Sequence, residues 1–263
     1  MSDAALAGAV KADKVKRSLL YRAGKKLRPW FNRFLARNSL VGDPEAFDKQ
    51  QFPWTAELEA HWPAIRAEFD QLMQRNTPIP ALRDISPDHR RIAKDHNWHS
   101  FFLWGYGYRI EEGCRLCPQT AQALSVVPDL NSAFFSILGP GAHIPLHTGV
   151  TKRIITCHLP PATCHLALVV PEAKEDCRIQ VGNETLYWEP GQCIVFDDTY
   201  PHEVWNDTNQ TRAVLLIQFK RPLRLPGRLL GDLFIGAIRR SPFVQEARNN
   251  LAAWSRAHKL LDG

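Results

Sequence analysis

The sequence predicts an α+β protein with a mainly β core, built as a sandwich or jelly roll, and with helices before and after it. Two observations carry that prediction. From Asn131 to Pro222 the chain breaks into short β-prone runs separated by Gly, Pro and Asn, the texture of a small all-β core. On either side, apolar residues return at the period of helices that bury one face. At 263 residues, with 44% hydrophobic and 23% charged side chains, the chain is long enough for one sizeable core.

The elements follow in order. Between Lys14 and Arg37, basic residues interleave at helical spacing with Leu20, Ala23, Leu27, Trp30, Phe31 and Phe34, and no acidic residue occurs from Lys14 to Gly42. Residues 1–40 hold ten Lys and Arg against two Asp, whereas the remainder holds 23 against 25. The basic character therefore belongs to an N-terminal arm, residues 1–42, and such an amphipathic helix suits an anionic membrane surface. A helix docked on its own domain with a solvated basic face fits the same pattern. Nucleic acid is not expected, because no recognised binding module accompanies the charge. Gly42-Asp-Pro opens a loop, Glu57 to Arg75 reads as one long amphipathic helix, and Asn76-Thr-Pro-Ile-Pro ends it. Residues 97–110 are aromatic and strand-like, and Pro118 to Val126 reads as a helix. The β-prone runs are Ala133–Leu138, Arg153–Leu159, His165–Val170, Cys177–Val181, Cys193–Phe196 and Arg212–Lys220. Residues 228–260 turn helical again, with a stripe of Leu229, Leu230, Leu233, Phe234 and Ile238 expected in the core or at a dimer contact. The expected organisation is an arm (1–42), a catalytic unit (43–222) with its β core at 131–222, and a helical extension (223–263).

Several classes fall away. No stretch approaches the ~18 apolar residues of a bilayer span, and the N-terminus is a poor secretory signal. The six cysteines are too dispersed for a disulfide framework. Cys114-Arg-Leu-Cys117 has a metal-like spacing but no second pair to complete a tetrahedral site. The expected location is cytoplasmic, with peripheral attachment to the inner face of a membrane through residues 14–37.

Within the β region two histidines stand out by their setting. His147 follows Gly-Pro-Gly-Ala-His-Ile-Pro-Leu and precedes Thr-Gly149; His202 closes Val195-Phe-Asp-Asp-Thr-Tyr-Pro, and Arg212 lies ten residues further on. Two imidazoles on separate strands can hold a divalent metal and leave its other positions open, as non-haem Fe(II) oxygenases require. The carboxylate that commonly completes such a site would stand at Gly149. Asp197 and Asp198 could supply one in principle, although turn or supporting roles suit them better. Arg212 could grip an anionic cosubstrate with its guanidinium fork. Taken singly, His143, His158 and His165 each read as hydrogen-bonded structural histidines.

From about Asn131 to Pro222 the chain resembles the aspartyl/asparaginyl β-hydroxylase family of Fe(II)- and 2-oxoglutarate-dependent dioxygenases. The resemblance rests on His147-Thr-Gly, His158-Leu and Phe196-Asp-Asp-Thr-Tyr-Pro-His-Glu-Val-Trp205. It implies a double-stranded β-helix (jelly roll) and a metal held by two histidines, with a glycine in place of the carboxylate. By the same resemblance His147 and His202 bind Fe(II), and Arg212 with the hydroxyl of Ser136 binds the distal carboxylate of 2-oxoglutarate. His158 would then lie near the metal-chelating carboxylate, and O2 is the second cosubstrate. The family carries a further arginine where this chain has Thr156, and Arg153 lies at an offset that points to the opposite sheet face. Relatives in the family hydroxylate either Asp and Asn in proteins or acyl chains of bacterial lipids. The basic arm favours a lipid at a membrane surface. A peptide substrate is the alternative, and a non-catalytic jelly-roll binding module, with Thr156 marking lost cosubstrate binding, is the third reading.

Overall fold

Among the described residues, eleven strands form two antiparallel sheets stacked as a double-stranded β-helix, the jelly roll. A computed structural model describes residues 29–75, 79–93, 96–148 and 161–259. With strands numbered in chain order, the larger sheet runs β1 (Ala46–Phe47), β9 (Cys193–Asp197), β6 (Pro161–Val169), β11 (Arg212–Lys220), β4 (Leu130–Leu138), β2 (Trp98–Gly105) and β3 (Tyr108–Arg109). The smaller runs β5 (His143–His147), β10 (His202–Asn206), β7 (Cys177–Val181) and β8 (Glu184–Tyr187).

Both faces of the larger sheet are buried, so its strands read as continuous apolar runs and not as alternating ones. Successive residues point to opposite faces. Phe101, Phe135, Leu215 and Ile217 pack into one core cluster with the helices. Phe102, Phe134 and Val214 pack into another with Ile144, Ile179 and Val204 of the smaller sheet. Four strands escaped the sequence reading: β1, β5, β8 and β10. Pro145 interrupts the pattern of β5, and proline is tolerated there because β5 is an edge strand. His147 is the last residue of this strand. The expected run Arg153–Leu159 lies outside the described residues.

The helical layer also differs from expectation. The single helix expected over Glu57–Arg75 is two, α2 (Trp54–Ala60) and α3 (Trp62–Gln74), broken at His61. Pro63 is the cause: it lacks an N–H, and its ring would clash with the carbonyl four residues back, so it sits in the first turn of a new helix. On α3, buried Glu68 accepts hydrogen bonds from the backbone N–H of Gln119 (2.8 Å) and Thr120 (2.8 Å) and from the Thr120 hydroxyl (2.7 Å). It thereby satisfies the orphan donors at the start of the helix Pro118–Ala123, which follows the helix Glu111–Leu116. Cys114 and Cys117 are buried free thiols. Burial pushes their pKa values up to about 11 and 12.

Residues 29–37 form a helix that docks on the C-terminal helix Leu225–Arg239, with Phe31 and Phe234 ring centroids 4.6 Å apart. The described end of the basic arm is thus tied to its own protein, as the second reading of that arm held; residues 1–28 lie outside the described residues. A second C-terminal helix, Pro242–Lys259, begins at another proline, so the expected helical stretch is also divided. Among the described residues no helix is long and apolar enough to cross a membrane.

Removing the Glu68 carboxylate strands two buried backbone donors. Glu68→Ala is expected to destabilise the protein by about 2–3 kcal/mol, read as a lowered denaturation midpoint in urea. An unchanged midpoint would contradict the capping role.

Candidate active site

β5 and β10 pair antiparallel with His147 directly opposite His202, which brings the two rings to a centroid separation of 4.1 Å. Each ring is held the same way. Nδ1 of His147 lies 2.8 Å from the carbonyl of Pro145, and Nδ1 of His202 lies 3.0 Å from the carbonyl of Tyr200. A carbonyl can only accept, so Nδ1 carries the proton in both rings and Nε2 keeps its lone pair. Burial, with His202 adjacent, pushes the pKa of His147 down to about 3. His147 is therefore neutral at physiological pH, and its Nε2 can donate to a metal. Among the described residues no group of three or more His, Cys, Asp or Glu forms a metal cluster. A two-histidine ligand set with open positions fits these residues, and Gly149 lies outside the described residues.

The two aspartates before His202 have other work. Asp197 forms a buried ion pair with Arg221 and accepts the backbone N–H of Thr199 at 2.9 Å, which shapes the turn into β10. Asp198 lines the cavity beside the histidines, with the Gln218 amide 3.4 Å away.

Arg212, the first residue of β11, is fully buried and lines the same cavity. Its guanidinium stacks on Trp188 at 4.6 Å, its Nη1 reaches the carbonyl of Ser136 at 3.5 Å, and its Nε has no hydrogen-bond partner among the described residues. Burial lowers its pKa to about 10, so it is still a cation at neutral pH. No carboxylate among the described residues pairs with it. A buried, uncompensated cation facing a cavity calls for an anionic ligand. Ser136 stands at its side on β4, its hydroxyl accepting the Trp98 indole N–H at 2.9 Å. The structure thus brings His147, His202, Arg212 and Ser136 together around one cavity, and it does not describe His158, Arg153 or Thr156.

Two histidines read from sequence as structural, or not singled out, also line the cavity. His165 on β6 is fully buried, and its Nδ1 accepts the Trp188 indole N–H at 3.3 Å. Its proton is therefore on Nε2, which has no partner among the described residues. Burial, with Arg212 and then His202 nearby, holds its pKa well below 6.5. A sequence signal for it existed: Thr156-Cys-His-Leu159 recurs as Thr163-Cys-His-Leu166, and the second copy carries the cavity histidine. His89 lies in the 3₁₀ turn Pro87–Arg91, its Nδ1 2.7 Å from the Ser86 hydroxyl. Burial, with His147 nearby, lowers its pKa to about 4. Nothing in its local sequence marks it, because it reaches the site from outside the β core.

The fold is a jelly roll that pairs two histidines beside a buried arginine at one cavity. The chain belongs to the aspartyl/asparaginyl β-hydroxylase family, whose model matches residues 59–222. It is 36% identical over 227 residues to an ornithine lipid ester-linked acyl 2-hydroxylase from Rhizobium tropici, covering 86% of this chain and 78% of that protein. It is 33% identical over 174 residues to the human aspartyl/asparaginyl β-hydroxylase, covering 64% of this chain but only 21% of that longer protein. Among solved structures, a prolyl-4-hydroxylase from Pseudomonas putida aligns with 48% of this chain and 72% of its own at 18% identity and a TM-score of 0.31.

The depressed histidines set a pH dependence. His89, His147 and His165 are neutral when folded but titrate near ~6.5 when unfolded. Below that pH the unfolded chain binds more protons, so stability falls as the pH falls, until each folded pKa is reached. The metal-free protein is expected to lose thermal stability steadily from about pH 7 to about pH 5, with a shallower loss in His89→Gln. A flat profile in the wild type would contradict the buried, neutral imidazoles.

Proposed function

We propose that the protein is an Fe(II)- and 2-oxoglutarate-dependent hydroxylase acting on an acyl chain of a lipid. When bound, iron and 2-oxoglutarate supply the oxidising equivalent that converts C–H to C–OH, with O2 consumed and succinate and CO2 released. The chain's own residues do the rest. His147 and His202 offer their Nε2 lone pairs to the metal. Arg212 offers its fork to the distal carboxylate of 2-oxoglutarate, with the Ser136 hydroxyl oriented by Trp98. By resemblance His158 would lie near the metal-chelating carboxylate of the cosubstrate. His165, its ring fixed by Trp188, offers a further Nε2–H donor in the same cavity, and Thr156 stands where the family has its further arginine.

The observation that carries the lipid reading is the charge of the cavity. Arg212 is the one permanent cation among its described lining residues, and the cosubstrate engages it. An aspartate substrate would meet Asp198 there and, among the described lining residues, no second cation to receive its carboxylate. The remaining wall includes Leu82, Phe102, Phe134, Ile144, Val204 and Leu216, which suits an alkyl chain and keeps water from the reacting carbon. The Rhizobium tropici relative, an acyl hydroxylase by name, points the same way. Hydroxylation of Asp or Asn in a peptide is the second reading, favoured by the human relative.

Succinate release from 2-oxoglutarate with Fe(II) is expected to rise when bacterial phospholipid extract is added and to vanish in His202→Ala. Release that requires His202 but ignores lipid would move the substrate to peptides, and no His202-dependent release would favour a binding module. Separately, His165→Ala is expected to weaken 2-oxoglutarate binding about 10- to 100-fold, measured by anaerobic calorimetry with Mn(II) in place of iron. Unchanged affinity would remove His165 from the site.

A further inference from the structure

The helix Leu225–Arg239 has two apolar stripes, and only one of them is used by the fold. Gly227, Gly231 and Ile235 are buried against the helix 29–37 and the segment after it. The approach is close enough that a side chain at Gly227 would meet Cβ of Asn38 at 2.6 Å. The Ser39–Leu223 bridge and the hydrogen bond from the Arg224 N–H to the Asn38 carbonyl (2.8 Å) fix the pair. Leu225, Leu229 and Leu233 recur every four residues on the opposite side, 66%, 64% and 73% exposed. Trp30 and Leu40 of the docked segment are also exposed. Five of the eight exposed large apolar residues of the described chain thus belong to this one helical pair. An exposed apolar cluster of this kind marks an interaction surface.

Its charge identifies the partner. Arg33 and Arg37 are exposed on the docked helix, and Arg224, Arg228 and Arg240 on or beside the C-terminal one. Against them stands Asp232, already paired with Lys220 at 2.7 Å. By sequence, residues 14–28 add seven Lys and Arg with no acidic residue. Exposed leucines and a tryptophan ringed by arginines match the layered chemistry of an anionic bilayer surface, with alkyl chains beneath phosphate headgroups. The lobe also touches the active site. Phe234 and Tyr106 pack in one cluster around Val244, and Tyr106 lines the cavity that holds the histidines.

We infer that Leu225, Leu229 and Leu233, with Trp30 and the surrounding arginines, form the face on which the enzyme docks onto anionic membranes. This rests on the lipid reading of the substrate and extends it. It also revises the expectation that the leucine stripe is core or dimer contact, and it places membrane contact on a folded surface in addition to the basic arm.

The test is co-sedimentation of the full chain with phosphatidylglycerol-containing vesicles and with pure phosphatidylcholine vesicles. Wild type is compared with Leu225→Ser/Leu229→Ser/Leu233→Ser and with a chain lacking residues 1–28. The wild type is expected to bind the anionic vesicles in preference, and the triple variant to lose at least about tenfold in partitioning. These leucines are exposed and remote from the metal ligands, so the melting temperature and the turnover of detergent-dispersed lipid should not change. Anionic binding that survives the triple substitution but disappears with residues 1–28 would overturn the inference. So would a wild-type dimer that the triple variant dissolves, because a second copy would then own the face. Detergent-dispersed turnover is read independently, so failure of the docking face and failure of the lipid reading are distinguishable.

Discussion

The site depends on one register: β5 against β10, with His147 facing His202. Side chains alternate between sheet faces with a period of two, so a slip of one residue would turn one imidazole away from the cavity. The smaller sheet has just four strands, and β5 is at its edge. Its position is secured by what surrounds it. Asn206 donates its side-chain amide to the carbonyls of Leu138 (3.2 Å) and Gly139 (2.8 Å), and its backbone N–H bonds the carbonyl of Ala142. The end of β10 is thereby tied to the turn that feeds β5. The Asp197–Arg221 pair closes the other end, before His202. The metal-binding geometry is thus a property of two turns, each stapled by a buried polar residue.

The second constraint is a buried cation. Arg212 begins the central strand β11, which pairs with both β4 and β6, so Ser136 and His165 come from its two neighbours. Burial of a guanidinium without a carboxylate partner among the described residues is costly. In the proposed reading a dicarboxylate cosubstrate would relieve that cost, and stability given up in the free protein would return as affinity. The described wall carries no second permanent cation, and its apolar part suits an acyl chain better than an acidic substrate.

Much of this was legible in the chain. Near-continuous apolar runs marked β4, β6, β9 and β11 because the larger sheet is buried on both faces, and the alternation Cys177-Arg-Ile-Gln-Val181 marked β7, whose inner face alone is buried. His147, His202 and Arg212 stood out by their setting beside turn signals and strand ends, whereas Ser136 entered through the family resemblance alone. Other features were hidden for physical reasons. Pro145 disguised β5, whose pairing is made at an edge, and Pro63 divided a helix whose apolar period continues through the break. His165 was obscured because a single histidine in an apolar strand reads as structural until its strand neighbours are known. His89 enters from a 3₁₀ turn distant in sequence, and only tertiary contact reveals it. The leucine stripe was visible, but period alone cannot say which face of a helix the protein keeps for itself.

Metal pairing, cosubstrate cation, apolar wall and exposed leucine face converge on one event, the insertion of an oxygen atom into a lipid alkyl chain. Mass spectrometry of bacterial lipids incubated with the enzyme, Fe(II), 2-oxoglutarate and isotopically heavy O2 tests it most directly. The account predicts heavy oxygen in the acyl chain of a membrane lipid, absent from reactions of Arg212→Gln. Succinate formed at the full rate with no label in any lipid, or label that persists without Arg212, would contradict it.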